Sequence, residues 1–297
     1  KQDTPADPGP QDDTPAPAED SGEPKELRVG TLDSTDNFDP CSNSDCGLGL
    51  MLVYDTVLKL NYETMEVEPC IATEWNWVDD TTLELTIREG VTFSNGDPLT
   101  PEDVLYSLSR FVFENDQFDP GYNVIDFDAS SVDGSKLTLK LKEVDADFLL
   151  ELTNDRWASV VNEEYVKANP DSFWDAPCGT GPYSFVSSVS GSNVVLTRND
   201  NYWGEAPAIK DVTMTIISDE STAVSRMETG EADFMPKISV EQLSRVENNA
   251  GLTVTTSEAA QIYYLGMRAT SSVNPVMAEK DFRTALAMGI DKEGYVE

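Results

Sequence analysis

Two stretches of the chain alternate apolar and polar residues with a period of two. TTLELTIREG (81–90) sets Leu83, Leu85 and Ile87 on one side, and SKLTLKLKEV (135–144) does the same with Leu137, Leu139 and Leu141. Successive side chains of a strand point to opposite faces, so each stretch predicts a half-buried strand. Between them, FSNGDPLTPEDVLYSLSRF (93–111) carries the marks of a helix start. Asn95-Gly96 makes a turn, Thr100 is placed to cap, Pro101 suits the first helical position, and Asp103 can return a weaker form of the reciprocal capping contact. Val104, Leu105, Leu108, Phe111 and Val112 then form one apolar stripe. A one-sided sheet and a one-sided helix hide their apolar faces against each other, so the chain is read as mixed α/β.

The same reading extends along the sequence. KELRVG (25–30) predicts a short strand with Leu27 and Val29 on one face, and GLGLMLVYDTVLKL (47–60) reads as helical. YSFVSSV (183–189) and SNVVLTRN (192–199) form a hairpin around Ser190-Gly191, and DVTMTII (211–217) is a further strand. Ser221 is placed to cap STAVSRMET, Gly230 ends it, and GEADF leads back to another strand. Near the end, DFRTALAMGI (281–290) predicts a helix whose apolar face is Phe282, Leu286 and Ile290.

Between the second and third of these regions stands GTGPYSF (179–185), which invites comparison with a phosphate-binding loop. A loop of the Walker type needs a longer glycine spacing closed by Lys-Ser/Thr and followed by a helix. Here Pro182 and strand residues follow, so the stretch is read as a tight turn back into a sheet. Charge excludes nucleic acid independently: 55 Asp and Glu stand against 20 Lys and Arg, a net charge of -35, which repels a phosphate backbone. No run of roughly 18 apolar residues is present. Residues 1–24 hold six of the 17 prolines and seven acidic residues without Ile, Leu, Val or an aromatic, which describes a solvated, semi-extended linker, taken to residue 26.

Cys41, Cys46, Cys70 and Cys178 fit no metal or redox spacing, and the chain has no histidine, so neither zinc nor any other metal site is expected, and no cofactor is implied. Two disulfides are the natural reading for an exported chain, and four buried thiols the reading for a reducing compartment.

Six motifs occur in a fixed order: IATEWNW, LTIREGVTFSNGDPLTPEDVLYSL, GTGPYSF, LTRNDNYWGEAPAIKDV, METGEADF and DFRTALAMGIDKE. In this the chain resembles the family 5 solute-binding proteins of bacterial ABC importers, the group of oligopeptide-, dipeptide- and nickel-binding proteins, over residues 27–297. The resemblance implies a two-lobed fold like that of the periplasmic binding proteins of type II, cluster C. Residues 27–47 and 179–258 would form the sheet domain of lobe I, 48–178 a subdomain inserted in it, and 259–297 the start of an incomplete lobe II. It implies an extracytoplasmic, lipid-anchored monomer, tethered through a cysteine upstream of Lys1. That monomer would close around a peptide or other small solute, a sugar or metal chelate included, and deliver it to ABC permease subunits.

Four places are expected to line the cleft: Cys46 and Gly47 at a helix start, Tyr122, Arg156 with Trp157, and Tyr263 with Tyr264. Aromatic side chains give contact area that tolerates varied ligands, and Arg156 can pair with a ligand carboxylate or with its neighbours Asp155 or Glu151. For an exported protein, Cys41 and Cys46 are expected to form a short-loop disulfide, leaving Cys70 with Cys178. Two other classes are weighed. A hydrolase with a carboxylate pair has no motif to support it, the chain lacking Gly-x-Ser-x-Gly and any histidine triad. A surface adhesion module would need no enclosed cleft, and saturable binding of a small solute separates it from a transport protein.

Overall fold

A computed structural model describes residues 26–33, 37–42, 47–114, 120–257, 264–270, 272–291 and 294. The chain divides into two compact units, Lys1–Thr253 and Val254–Glu297. In chain order the first holds β1 (Glu26–Thr31), α1 (Gly47–Val53), β2 (Leu58–Asn61), β3 (Glu66–Pro69), β4 (Ala72–Asp79), β5 (Thr82–Ile87), α2 (Pro101–Phe113), β6 (Ser131–Asp133) and β7 (Lys136–Lys140). It continues with α3 (Phe148–Glu151), α4 (Glu163–Ala168), β8 (Tyr183–Val189), β9 (Asn193–Arg198), β10 (Asp211–Ile216), α5 (Glu220–Thr229) and α6 (Val240–Glu247). The second unit holds α7 (Lys280–Gly289), and Phe282 and Leu286 on it and Ile290 just after it are all exposed.

The two alternating stretches form the middle of an antiparallel sheet of order β4-β5-β7-β6, in which Leu83 faces Leu139 and Leu85 faces Leu137. These leucines and Ile87 pack against Val104, Leu108 and Phe111 of α2 in a first core. Each such leucine, removed from water, contributes roughly 2 kcal/mol. The start of α2 is set by Thr100 and Asp103, which exchange side-chain-to-backbone hydrogen bonds as a full capping box.

A second sheet, of order β1-β10-β9-β8, joins the start of the chain to the region after residue 179, with β1 parallel to β10 and the remaining pairs antiparallel. Val29, Val194, Leu196, Val212 and Met214 line a second core. Leu50 and Val53 of α1 and Val161, Val166 and Phe173 also belong to it, although the resemblance places all five inside the inserted subdomain. First-core residues, by contrast, run from Val57 to Val160, with Cys41 and Cys178 added.

Three local expectations change. The helix read over 47–60 stops at Val53, and Leu58–Asn61 instead pairs with β3. Tertiary hydrogen bonds decide this: Val53 O accepts from Gly181 N at 2.9 Å, and Val57 N donates to Ala158 O at 3.0 Å. The cap of α5 is Asp219, whose carboxylate accepts from Thr222 N, and not Ser221; Gly230 ends the helix at φ 72° as read. GEADF makes one parallel bridge, Phe234 to Val29, in place of a strand.

Candidate functional site

The GTGP turn positions the first candidate. A Cβ at Gly179 would lie 2.0 Å from Val53 O, and one at Gly181 would lie 2.6 Å from Val53 C, so only glycine lets this turn close onto the end of α1. Leu50 and Val53 bury the inner side of α1, and Met51 and Gly47 stay exposed on the outer side. Cys46, just before Gly47, lies outside the described residues, and its expected bond to the buried Cys41 with it.

Tyr122 does not line a cleft. It is 0% exposed, edge-on to Phe111 at 5.5 Å between ring centres, and its hydroxyl donates to Glu151 O at 3.1 Å. Gly121, at φ 109°, turns the chain so that this ring points into the first core. FDPGYN shows glycine and an aromatic, but which way the ring turns depends on α2 and α3 packed around it.

Arg156 and Trp157 sit in a turn folded around Asn154, whose Oδ1 accepts from both of their backbone N–H groups at 3.1 and 3.0 Å. Trp157 packs half-buried on the first core. The Arg156 guanidinium makes no ion pair or side-chain hydrogen bond among the described residues, and its Nε is buried without a partner. Its neighbour Asp155 is engaged elsewhere, accepting from the Tyr62 hydroxyl at 2.7 Å. Tyr264, in the second unit, is exposed, and Tyr263 lies outside the described residues.

A further place escaped the sequence reading. In open α/β sheets ligands sit beyond the carboxyl ends of parallel strands. Here the carboxyl end of β1 and the segment after Phe234 border a shallow surface depression, without room for a water molecule, lined by Thr31, Leu32, Asp33, Met235, Pro236 and Lys237. Arg28 fixes that segment through Nε and Nη2 bonds to both oxygens of Asp233, at 2.9 and 2.6 Å, and Lys237 pairs with Asp33 at 2.9 Å. These partners are 204 or 205 residues apart in sequence, so no local signal joins them.

The expected Cys70–Cys178 bond is not made. Both are buried thiols, Cys178 facing the Ser94 hydroxyl at 3.7 Å, and burial pushes Cys70 up to about 11 and raises Cys178. Such thiols are unreactive. Among the described residues no group of three His, Cys, Asp or Glu could hold a metal ion, and no helix is long and apolar enough to cross a membrane.

Comparison with known proteins adds a family. The family model of the bacterial extracellular solute-binding proteins, family 5 Middle, matches residues 66–297. The nickel-binding periplasmic protein of Escherichia coli is 26% identical over 254 residues, covering 83% of this chain and 48% of that protein. Di/tripeptide-binding protein 2 of Pseudomonas aeruginosa is 25% identical over 302 residues, covering 93% and 56%. Among solved structures, a nickel ABC transporter protein from Bacillus halodurans superposes with a TM-score of 0.66 at 27% identity, over 76% of this chain and 46% of that one. The oligopeptide-binding protein AppA of Bacillus subtilis, in complex with a nonapeptide, superposes with a TM-score of 0.67 at 22% identity, over 76% and 47%. The chain spans about half the length of the curated relatives it matches.

Proposed function

The chain belongs to the bacterial extracellular solute-binding proteins, family 5, and from that premise we propose that it captures a peptide outside the cytoplasm and hands it to an ABC permease. Its fold is that of the type II periplasmic binding proteins. In this reading the exposed side of α1 from Gly47 and Arg156 with Trp157 contribute to the solute-binding surface. A ligand touching both lobes favours the closed form, which the permease then receives. The protein is a lipid-anchored monomer held at the cell surface by the Pro-rich linker.

The observation that carries the proposal is the unpaired Arg156. In a chain with 55 acidic and 20 basic residues, a guanidinium with a buried Nε and no carboxylate partner among the described residues leaves a place for an anion supplied from outside. A peptide carboxylate fits its planar fork. A nickel chelate is the second reading, favoured by relatives such as the nickel-binding periplasmic protein.

The test is mass spectrometry of the solute that co-purifies with the full-length protein, followed by calorimetry with trialanine and its C-terminal amide. The free acid is expected to bind about 30-fold tighter, roughly 2 kcal/mol, and Arg156→Met to abolish that preference. Equal affinities for acid and amide in the unaltered protein would sink the role given to Arg156. A co-purified solute without a carboxylate would sink the peptide reading.

A further inference from the structure

The seam between the two cores holds a buried carboxylate. Asp55 is 3% exposed and stands between Tyr54, packed in the second core, and Val57 and Leu58, packed in the first. Donors from two distant segments converge on it. Trp203 Nε1 at 2.7 Å and Thr180 Oγ1 at 3.0 Å both donate to Oδ2, and the Tyr202 hydroxyl donates to Oδ1 at 3.4 Å. Asp55 makes no ion pair among the described residues. The other groups facing the site are the Lys59 ammonium, the Cys70 thiol and the Arg88 guanidinium, which lies over the Trp203 ring at 4.2 Å.

The two oxygens are not equivalent. Oδ2 accepts two short bonds, one from an indole N–H that can only donate. Among the described residues Oδ1 has a single long contact, to a phenol that can both donate and accept. A proton arriving at Oδ1 would form an O–H bond there and donate to the Tyr202 oxygen, whose own hydrogen rotates away. Both bonds to Oδ2 survive, and no heavy atom leaves its place.

We propose that Asp55 is a proton-binding site at which Oδ1 and the Tyr202 hydroxyl share a hydrogen while Oδ2 keeps the Trp203 indole and the Thr180 hydroxyl, so that acid tightens the seam between the cores. Burial, the largest influence, pushes the Asp55 carboxyl above its ordinary value of 3.8, against its three hydrogen bonds and the Lys59 charge, which pull it down. The folded chain therefore holds this proton more tightly than the unfolded chain. The stability it contributes is complete below 3.8 and is lost as pH rises through the higher native value. Most paired carboxylates of a folded protein act in the opposite sense.

The experiment follows the Asp55 carboxyl carbon and the Trp203 indole proton together by NMR in the full-length protein, assigned with Asp55→Asn. Asp55 is expected to titrate above the ordinary carboxylate range, with the Trp203 proton hydrogen-bonded throughout. A midpoint at or below that range, or an indole signal moving to its solvent-exposed position as Asp55 takes the proton, overturns the proposal. Tyr202→Phe removes a bond that holds the Asp55 carboxyl down, so its midpoint is expected to rise, while in the unaltered protein the Tyr202 ring signals shift as Asp55 takes its proton; Tyr202 signals that do not move with Asp55 overturn the sharing. Asp55→Asn mimics the neutral form, with its amide N–H₂ toward Tyr202, and is expected to be at least as stable as the unaltered protein at pH 8, with Asp55→Ala clearly less so. An Asn variant as unstable as the Ala variant would contradict it.

Discussion

Arg110 and Arg156 both exert their charge on the buried Cys41, yet the fold treats the two guanidinium groups in opposite ways. The Arg110 side chain is 4% exposed and fully occupied: Nη1 and Nη2 donate to the two oxygens of Asp39 at 2.9 and 3.1 Å, Nε donates to Glu114 at 2.9 Å, and the group lies over the Phe173 ring at 4.8 Å. Arg156 is half-buried and has none of this. A charge taken out of water is costly unless it is paired, so Arg110 reads as a structural element whose removal strands Asp39. Arg156 retains an unmet requirement, and an unmet requirement at a surface is where a ligand gains most.

Substitutions that separate the two can break that contrast. The largest effect is expected from Arg110→Met, which leaves Asp39 without its bidentate partner and removes the contact with Phe173; about 3 kcal/mol of stability is expected to go, read by chemical denaturation. A loss under about 1 kcal/mol would show that Arg110 is no more structural than its unpaired counterpart. Glu114→Gln tests the exposed part of the same network. Its side chain is 47% exposed, so the expected loss is roughly 0.5 kcal/mol and should shrink in high salt, because water and ions already screen that pair. Arg156→Met is expected to change stability least, within about 0.5 kcal/mol in either direction, while affinity for a carboxylate ligand falls. A large loss of stability in that variant would place Arg156 with Arg110 and end the distinction.

Legibility followed the range of the interactions. The strands around Leu83, Leu85, Leu137 and Leu139 and the start of α2 were readable because alternation, Thr100, Pro101 and Asp103 act within a few residues of one another. The turn at GTGP was readable as a turn, but not as a clasp on the end of α1, since Val53 is more than 120 residues away. The helix over 47–60 was overestimated for the same reason: its apolar pattern suits a helix, and the groups that stop it at Val53 come from Gly181 and Ala158. At the candidate site, Arg156 was legible as a residue type only. Its lack of a partner could not be read, because Glu151 and Asp155 stand beside it in sequence and the fold binds Asp155 to Tyr62.

The sequence by itself determined the α/β class, the two half-buried strands of the first core, the caps of α2 and the ordered motifs that mark the family. It also carries a charge of -35, which repels a phosphate backbone. These depend on local spacing and on sums over the chain, both of which a string of residues carries in full. Tertiary structure alone decided that Tyr122 turns inward, that Cys70 and Cys178 stay apart, that Arg110 is satisfied and Arg156 is not, and that Asp55 gathers Thr180, Tyr202 and Trp203 at a seam. Each of those outcomes is a choice between partners tens to more than a hundred residues apart. Folding settles such choices by which polar groups lose their water together, a quantity that exists only once the two cores have closed.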